Sequence, residues 1–334
     1  MKKLISLFLI GIFLISCSSP KRKADLKGID FDVKIQRFDR DFWALKESKN
    51  LSKDLQKLYA KYPDFAPIYF GNIVLFGRNK EEVLAVLPDF FADTTANKLC
   101  KDALEKFSDV SKIEKSLTKA FQKGQYFFSQ TPVPQCIMHI SLLNQSVVVA
   151  DRLISVGIDK YLGEDYPLYE LSPEFYPYLR KNMKPEKVVS DYVHVWLLTE
   201  FPYFSEQDKL LDKMIYDGKI LYVTSLLLSD EKAENLIGYT AEQWKFCKNY
   251  EKDMWQTLIQ EKYLFSYDFM LRKKILENAP FTQPFTQESP GRAGQYIGWQ
   301  IVESYMKKNP EITPLQLMQN ADAQEILENS GYNP

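Results

Sequence analysis

Residues 135–150 read QCIMHISLLNQSVVVA, and their reading decides the fold class. Val147, Val148 and Val149 form a β-branched run that suits a pleated strand better than a helix. The residues from Gln135 onward are a second extended candidate. Asn144-Gln145 reads as a turn between the two, so the stretch predicts a hairpin. Two further strand candidates precede it: Phe31–Phe38, where Phe31, Val33 and Ile35 alternate with charged residues, and Ile73–Phe76. Nearly everything else carries a helical period. The expected fold is therefore α+β, predominantly α-helical, with a small antiparallel or mixed sheet.

Helical patterns cover Asp41–Tyr62, Lys80–Phe91, Ala96–Phe107 and Lys112–Phe128. Pro88 should kink or divide the second of these. Ser205-Glu206-Gln207-Asp208 and Thr240-Ala241-Glu242-Gln243 resemble capping boxes, the latter opening a long helix to about Tyr263. Ser266 is expected to cap a helix ending before Pro280, and Thr313-Pro314 to open the last pair. Ser289-Pro290 is a further helix start, leading into Ile297, Ile301, Val302 and Tyr305. Gly291, Gly294 and Gly298 continue that spacing toward the helix start, although interior glycine costs about 1 kcal/mol against alanine. Either another backbone approaches this seam closely, or the bare surface with Arg292 beside it lines a groove for an anionic or extended ligand.

The chain begins MKKLISLFLIGIFLISC. Lys2 and Lys3 precede an apolar run, Leu4 to Ile15, that is shorter than the ~20 residues a membrane-spanning helix needs. Leu14-Ile15-Ser16-Cys17 is a bacterial lipobox, so Cys17 is the expected lipidation site. The acyl chains carry the attachment, each buried methylene adding about 0.8 kcal/mol. The organisation expected is a signal peptide over 1–16, a lipidated polar tether over 17–29 and one globular domain over 30–334. Without an acidic run after Cys17, a periplasm-facing envelope lipoprotein is the expected localisation.

Hydrophobic content is 45%, aromatic content 14% and net charge −1, which mark a globular chain. No basic patch beyond the tether and no nucleic-acid motif is present, so a nucleic-acid partner is not expected. Past Cys17 stand three cysteines, Cys100, Cys136 and Cys247. They permit at most one disulfide, and buried free thiols are the simpler reading.

Two histidines limit the chemistry: His139 in the strand region and His194 in a helical one. A zinc peptidase helix places two histidines at i and i+4 with a glutamate between them. Here the same positions read Ser190-Asp191-Tyr192-Val193-His194, so one ligand is lost and the base is shortened. Asp217, in Met214-Ile215-Tyr216-Asp217-Gly218, is the candidate third ligand. Asp191, His194 and Asp217 thus belong to an ordinary helix pair, to a degenerate metal-free peptidase-like site, or to a metal site completed by another ligand. No cofactor and no metal is expected. No nucleophile elbow, phosphate loop or dinucleotide fingerprint is present. The tyrosine-rich Asp159–Tyr169 reads either as a sugar- or peptide-binding rim or as an aromatic staple.

Several segments together resemble one family. They are the lipobox; Ile35-Gln36-Arg37-Phe38-Asp39; Gly157 to Pro167, GIDKYLGEDYP; Leu211 to Ile215 with Gly218-Lys219; Ile237-Gly238-Tyr239-Thr240; Glu288 to Arg292; and Gly298 to Val302. Their order is similar to that of the gliding motility lipoprotein GldB family of Bacteroidetes. The resemblance implies an envelope lipoprotein tied to gliding or related secretion machinery, with envelope protein partners. It implies no established enzymatic activity. A distant likeness of that family to zinc peptidases leaves a degenerate zincin-like (gluzincin-type) fold, and a divergent periplasmic metallopeptidase, as the alternative.

Overall fold

A four-stranded mixed sheet holds the first half of the chain together. The structure is a computed structural model describing residues 23–334; the leader and Cys17 lie outside the described residues. The strands are β1 Ile35–Arg37, β2 Gln135–His139, β3 Val147–Ala150 and β4 Leu153–Gly157, in the order β1-β2-β4-β3. β1, β2 and β4 run parallel, and only β3 is antiparallel, along β4. The chain is 58% helical, so the α+β class with a small mixed sheet is observed.

The expected hairpin is corrected. Gln135–His139 and Val147–Ala150 do not pair with each other. β3 turns at Asp151-Arg152 into β4, which inserts between β3 and β2, with Ala150 opposite Leu153 and Cys136 opposite Ile154. β4 escapes a reading by alternation because all five of its residues are buried, as befits a strand covered on both faces. Ile73–Phe76 is not a strand either. Tyr69–Ile73 form a wide helical turn, and the Phe76 N–H closes on the Phe70 carbonyl at 2.9 Å.

The longer helices are α1 Phe38–Ala44, α2 Leu51–Lys61, α3 Lys80–Ala92, α4 Thr94–Lys106 and α5 Ser111–Phe127. They continue with α6 Lys187–Glu200, α7 Leu210–Leu227, α8 Ala241–Asn249, α9 Glu251–Gln260, α10 Phe269–Leu276, α11 Ala293–Lys308, α12 Pro314–Gln319 and α13 Ala323–Ser330. The long pattern over 41–62 is interrupted because the Asn50 side chain caps α2 on the Lys53 N–H. Pro88 is held inside α3. The Thr240 box forms as expected, but its helix breaks at Tyr250, and α9 starts with Glu251, which accepts from the hydroxyls of Tyr296 and Tyr332. α7 begins at Leu210, later than the Ser205 box suggested: the Asp212 carboxylate accepts from the Lys209 N–H at 3.0 Å and from the Ser205 hydroxyl at 2.6 Å. Asp268 caps α10, in place of Ser266.

α7 and α11 are apolar nearly all round and form the most extensive helix pair, with α13 and α6 against them. α11 does not start at Ser289-Pro290. The Ser289 hydroxyl accepts from the Thr282 N–H and donates to the Thr286 carbonyl, inside the preceding loop. The buried Thr282 hydroxyl donates to the Pro290 carbonyl and accepts the first helical N–H, that of Ala293, at 3.1 Å. A residue distant in sequence thus does the capping.

The glycines mark three different approaches. A Cβ on Gly291 would overlap the Ala279 backbone, and one on Gly294 would meet Leu276 Cδ2 at 2.8 Å. A Cβ on Gly298 would overlap the Met214 carbonyl of α7, and one on Gly218 would overlap Gly298 in return. The two central helices touch backbone to backbone here.

Candidate functional site

α6 carries Lys187, Asp191 and His194 at i, i+4 and i+7, a spacing that brings them to one face. That face meets Asp217 and Lys213 of α7 and Arg292 at the threshold of α11. The charges of Asp191, Lys187, Arg292 and Lys213 act on His194, and Asp191 and Asp217 both act on Arg292. Sequence reasoning placed Asp191, His194, Asp217 and Arg292 in two separate motifs; the fold brings them into one recess. Gly294 and Gly298 lie further along α11, turned to α10 and α7.

Lys187 and Lys213 had no sequence signal, because a lysine one helical turn from an aspartate usually marks a solvated face. Lys213 is ion-paired with Asp217 and lies over the Tyr216 ring, 4.6 Å from its centroid. Lys187 pairs with Asp191 at 3.5 Å and donates to the Asn235 carbonyl at 3.2 Å. Asp191 also accepts from the Tyr161 hydroxyl at 2.8 Å. Arg292 adopts a left-handed backbone, φ 63°, and places its guanidinium over Tyr239, 5.9 Å from the ring centroid. Its Nη2 donates to the Gly238 carbonyl, while its Nε is buried with no hydrogen-bond partner.

Burial dominates the electrostatics. It pushes the His194 imidazolium down to about 4, with Asp191 opposing and the surrounding cations adding to the effect. It raises the Asp217 carboxyl, against the pull of Lys213 and Arg292. It also lowers the Arg292 guanidinium. His194 is therefore neutral at physiological pH, and the three cations Lys187, Lys213 and Arg292 outnumber the two acids Asp191 and Asp217 by one.

The zinc-like register does not share this recess as a unit. Ser190 is buried, its hydroxyl donates to the Lys187 carbonyl, and it lines another groove with Lys119, Lys123 and Leu227. Among the described residues, no three His, Cys, Asp or Glu side chains are placed to hold one metal ion. The donor set does not fit a zinc ion, because ammonium groups stand where cation ligands would have to be free.

Next to Asp191 opens a cleft of about 720 Å³, lined by Asn144, Lys160, Tyr161, Phe175 and Asn182 among others. Lys160 donates to the Leu143 carbonyl at 3.1 Å and lies 4.2 Å from the Phe175 ring centroid. Burial lowers its ammonium. The cleft wall is pinned by buried Asp159, which accepts from the Ser141 N–H at 2.7 Å and the Leu143 N–H at 2.6 Å. This holds Leu142 and Leu143 in left-handed conformations, φ 57° and 65°, a strain that concentrates at binding sites. The tyrosines of 159–169 point inward: Tyr169 donates to the Asp159 carbonyl, and Tyr166 donates to Asp102. They staple the loop. His139 is also internal, its Nδ1 at 2.7 Å from the Ser155 hydroxyl. Cys100, Cys136 and Cys247 are free and buried.

Fold and site together define a mostly helical α+β protein with a polar recess whose two acids are ion-paired to lysines of their own helices. The chain belongs to the gliding motility protein GldB family, whose model matches residues 19–334. No curated protein and no solved structure matches the chain, and the zincin-like architecture gains no support. No helix among the described residues is long and apolar enough to cross a membrane.

Proposed function

We propose that the protein is a lipid-anchored, non-catalytic component of the cell envelope. Acylated Cys17 holds it to the membrane facing the periplasm. There it supports gliding motility or a related secretion assembly by binding envelope proteins. Family membership supports the motility role. The lipobox at Cys17 supports lipid attachment.

One observation carries the non-catalytic reading. Asp217 and Asp191 are ion-paired with Lys213 and Lys187 of their own helices, and Arg292 faces both acids. Carboxylates committed this way to neighbouring ammonium groups are poor metal ligands or bases.

The test uses the full acylated chain, crosslinked in native membranes and recovered with its neighbours. Envelope proteins should co-purify, and His194→Gln or Asp217→Asn should leave motility and the recovered partners unchanged wherever the variant still folds. Stoichiometric zinc in the purified chain, with peptide cleavage abolished by His194→Gln, would overturn the proposal. So would a mature chain whose Cys17 carries no acyl group.

A further inference from the structure

Thirteen large apolar side chains are exposed among the described residues, and five of them crowd into residues 259–270. They are Ile259, Phe265, Tyr267, Phe269 and Met270, between 46% and 65% exposed. The segment joins α9 to α10 and is not a disordered tip. Buried Leu264 anchors it, the Leu210 N–H donates to the Ser266 carbonyl at 3.0 Å, and Asp268 caps α10 on the N–H groups of Met270 and Leu271. Exposed aromatics held this firmly keep their apolar area in water.

Cations are set among these rings. Lys273 and Arg272 stand 5.1 and 5.5 Å from the Phe269 centroid, and Lys209 stands 5.6 Å from that of Phe265. Lys262 and Lys274 are exposed beside them. Residues 259–274 carry Lys262, Arg272, Lys273 and Lys274 against Glu261 and Asp268, a net charge of +2 on a chain whose total is −1; just outside that span Asp208 pairs with Arg272, and Glu277 stands 3.9 Å from Lys273. Aromatic rings, a methionine and long cationic side chains on one surface match the boundary between lipid headgroups and acyl chains. There rings sit at the headgroup level, and lysine and arginine reach out to phosphates. The Lys119–Lys123 groove and the cleft beside Asp191 offer no such pairing of exposed rings with cations.

We propose that residues 259–274 form a second membrane contact, docking Phe265, Tyr267, Phe269 and Met270 into an anionic lipid surface with Lys209, Lys262, Lys273 and Lys274 on its phosphates. The contact sets the orientation of the protein on the bilayer, which attachment through Cys17 alone does not fix. This deepens the membrane-anchored reading of Cys17 and rests on it for proximity to lipid.

Phe269→Cys supplies the test. Cys100, Cys136 and Cys247 are buried, with thiols pushed up to about 12, so an environment-sensitive dye reports on position 269 alone. The full acylated variant is reconstituted into vesicles of phosphatidylethanolamine with phosphatidylglycerol, and separately into phosphatidylcholine. On the anionic vesicles the dye emission should shift to the blue and rise by about two-fold or more, and spin-labelled lipid should quench it. The response should weaken at high salt and on phosphatidylcholine. Dye at Tyr267→Cys should behave alike, whereas dye at Leu171→Cys, exposed on another loop, should stay water-like. Lys273→Glu with Lys274→Glu should reduce the response while the melting temperature holds.

A dye at 269 that remains water-like on anchored protein overturns the inference. If it becomes shielded only when native membrane proteins are supplied, the patch docks a protein instead. Equal quenching at 171 and 269 also overturns it. Mass spectrometry of Cys17 separates failure of the anchor from failure of the patch.

Discussion

Gly298→Ala would place a methyl group on the Met214 carbonyl of α7, at a point where Gly218 leaves the same helix bare. A side chain in the way could rotate aside; a main-chain carbonyl inside a helix cannot. The helices must separate, and because α7 and α11 form the largest helix pair, the separation is felt along the core. Overpacking of this kind costs about 3–5 kcal/mol where backbone has to move, somewhat above the usual range for core insertions. Alanine returns about 1 kcal/mol through helix propensity. The net expectation is a loss of about 2–4 kcal/mol, opposite in sign to glycine-to-alanine changes on free helix faces. A chain of about 300 residues unfolds with an entropy on the order of 0.6 kcal/mol/K, so the melting temperature should fall by about 3–6 °C. Calorimetry measures this directly.

Two comparisons sharpen the test. Gly71→Ala, whose Cβ would find only the Gly77 carbonyl at 3.8 Å, should change stability by less than about 0.5 kcal/mol. Gly218→Ala combined with Gly298→Ala should cost less than the sum of the two, because the first methyl already parts the helices. A Gly298→Ala variant that melts at or above the parent temperature would refute the backbone contact and free that face of α11 for a ligand.

Three more expectations follow from the recess and the thiols. His194 is neutral in the folded chain down to about pH 4 but takes a proton near 6.5 when unfolded, so its share of stability is lost as pH falls through that window. His194→Gln should therefore lose less stability than the parent between pH 6.5 and 4; a constant difference in urea midpoints across the window would contradict a neutral His194. Asp191→Asn removes the charged partner of Lys187, which keeps the Asn235 carbonyl, and should cost about 1 kcal/mol, discounted for partial exposure, with a measurable coupling to Tyr161→Phe in a double-mutant cycle. Cys100, Cys136 and Cys247 should resist thiol reagents in the native protein at neutral pH and react together on unfolding; labelling without denaturant would mean local opening.

Much of the recess was present in the chain as spacing. The interval from Asp191 to His194 and the acid at Asp217 are read directly from residue types, and Arg292 stands out beside its glycines. Their meeting was not readable. α6, α7 and the start of α11 are brought together by long-range packing, and the cations that neutralise the acids look like ordinary surface lysines until the helices bury them. Likewise, residue type does not tell the rings of 259–270 from core aromatics; their solvent exposure does.

The class was legible in the chain: a helical majority with a small sheet, the capped starts of α8 and α12, and the resemblance that places the family. These rest on local chemistry, on side-chain period, hydroxyl caps and β-branched runs, which act within a few residues. Tertiary structure decided the order of the strands, the true start of α11 and the role of the glycines. β4 lies between β2 and β3 because a strand buried on both faces carries no alternation to announce it. Thr282 caps α11 from eleven residues upstream, and Gly298 is small because Met214 of another helix lies against it. Each of these depends on an atom beyond the reach of local patterning, brought close only once the loop and the core have formed.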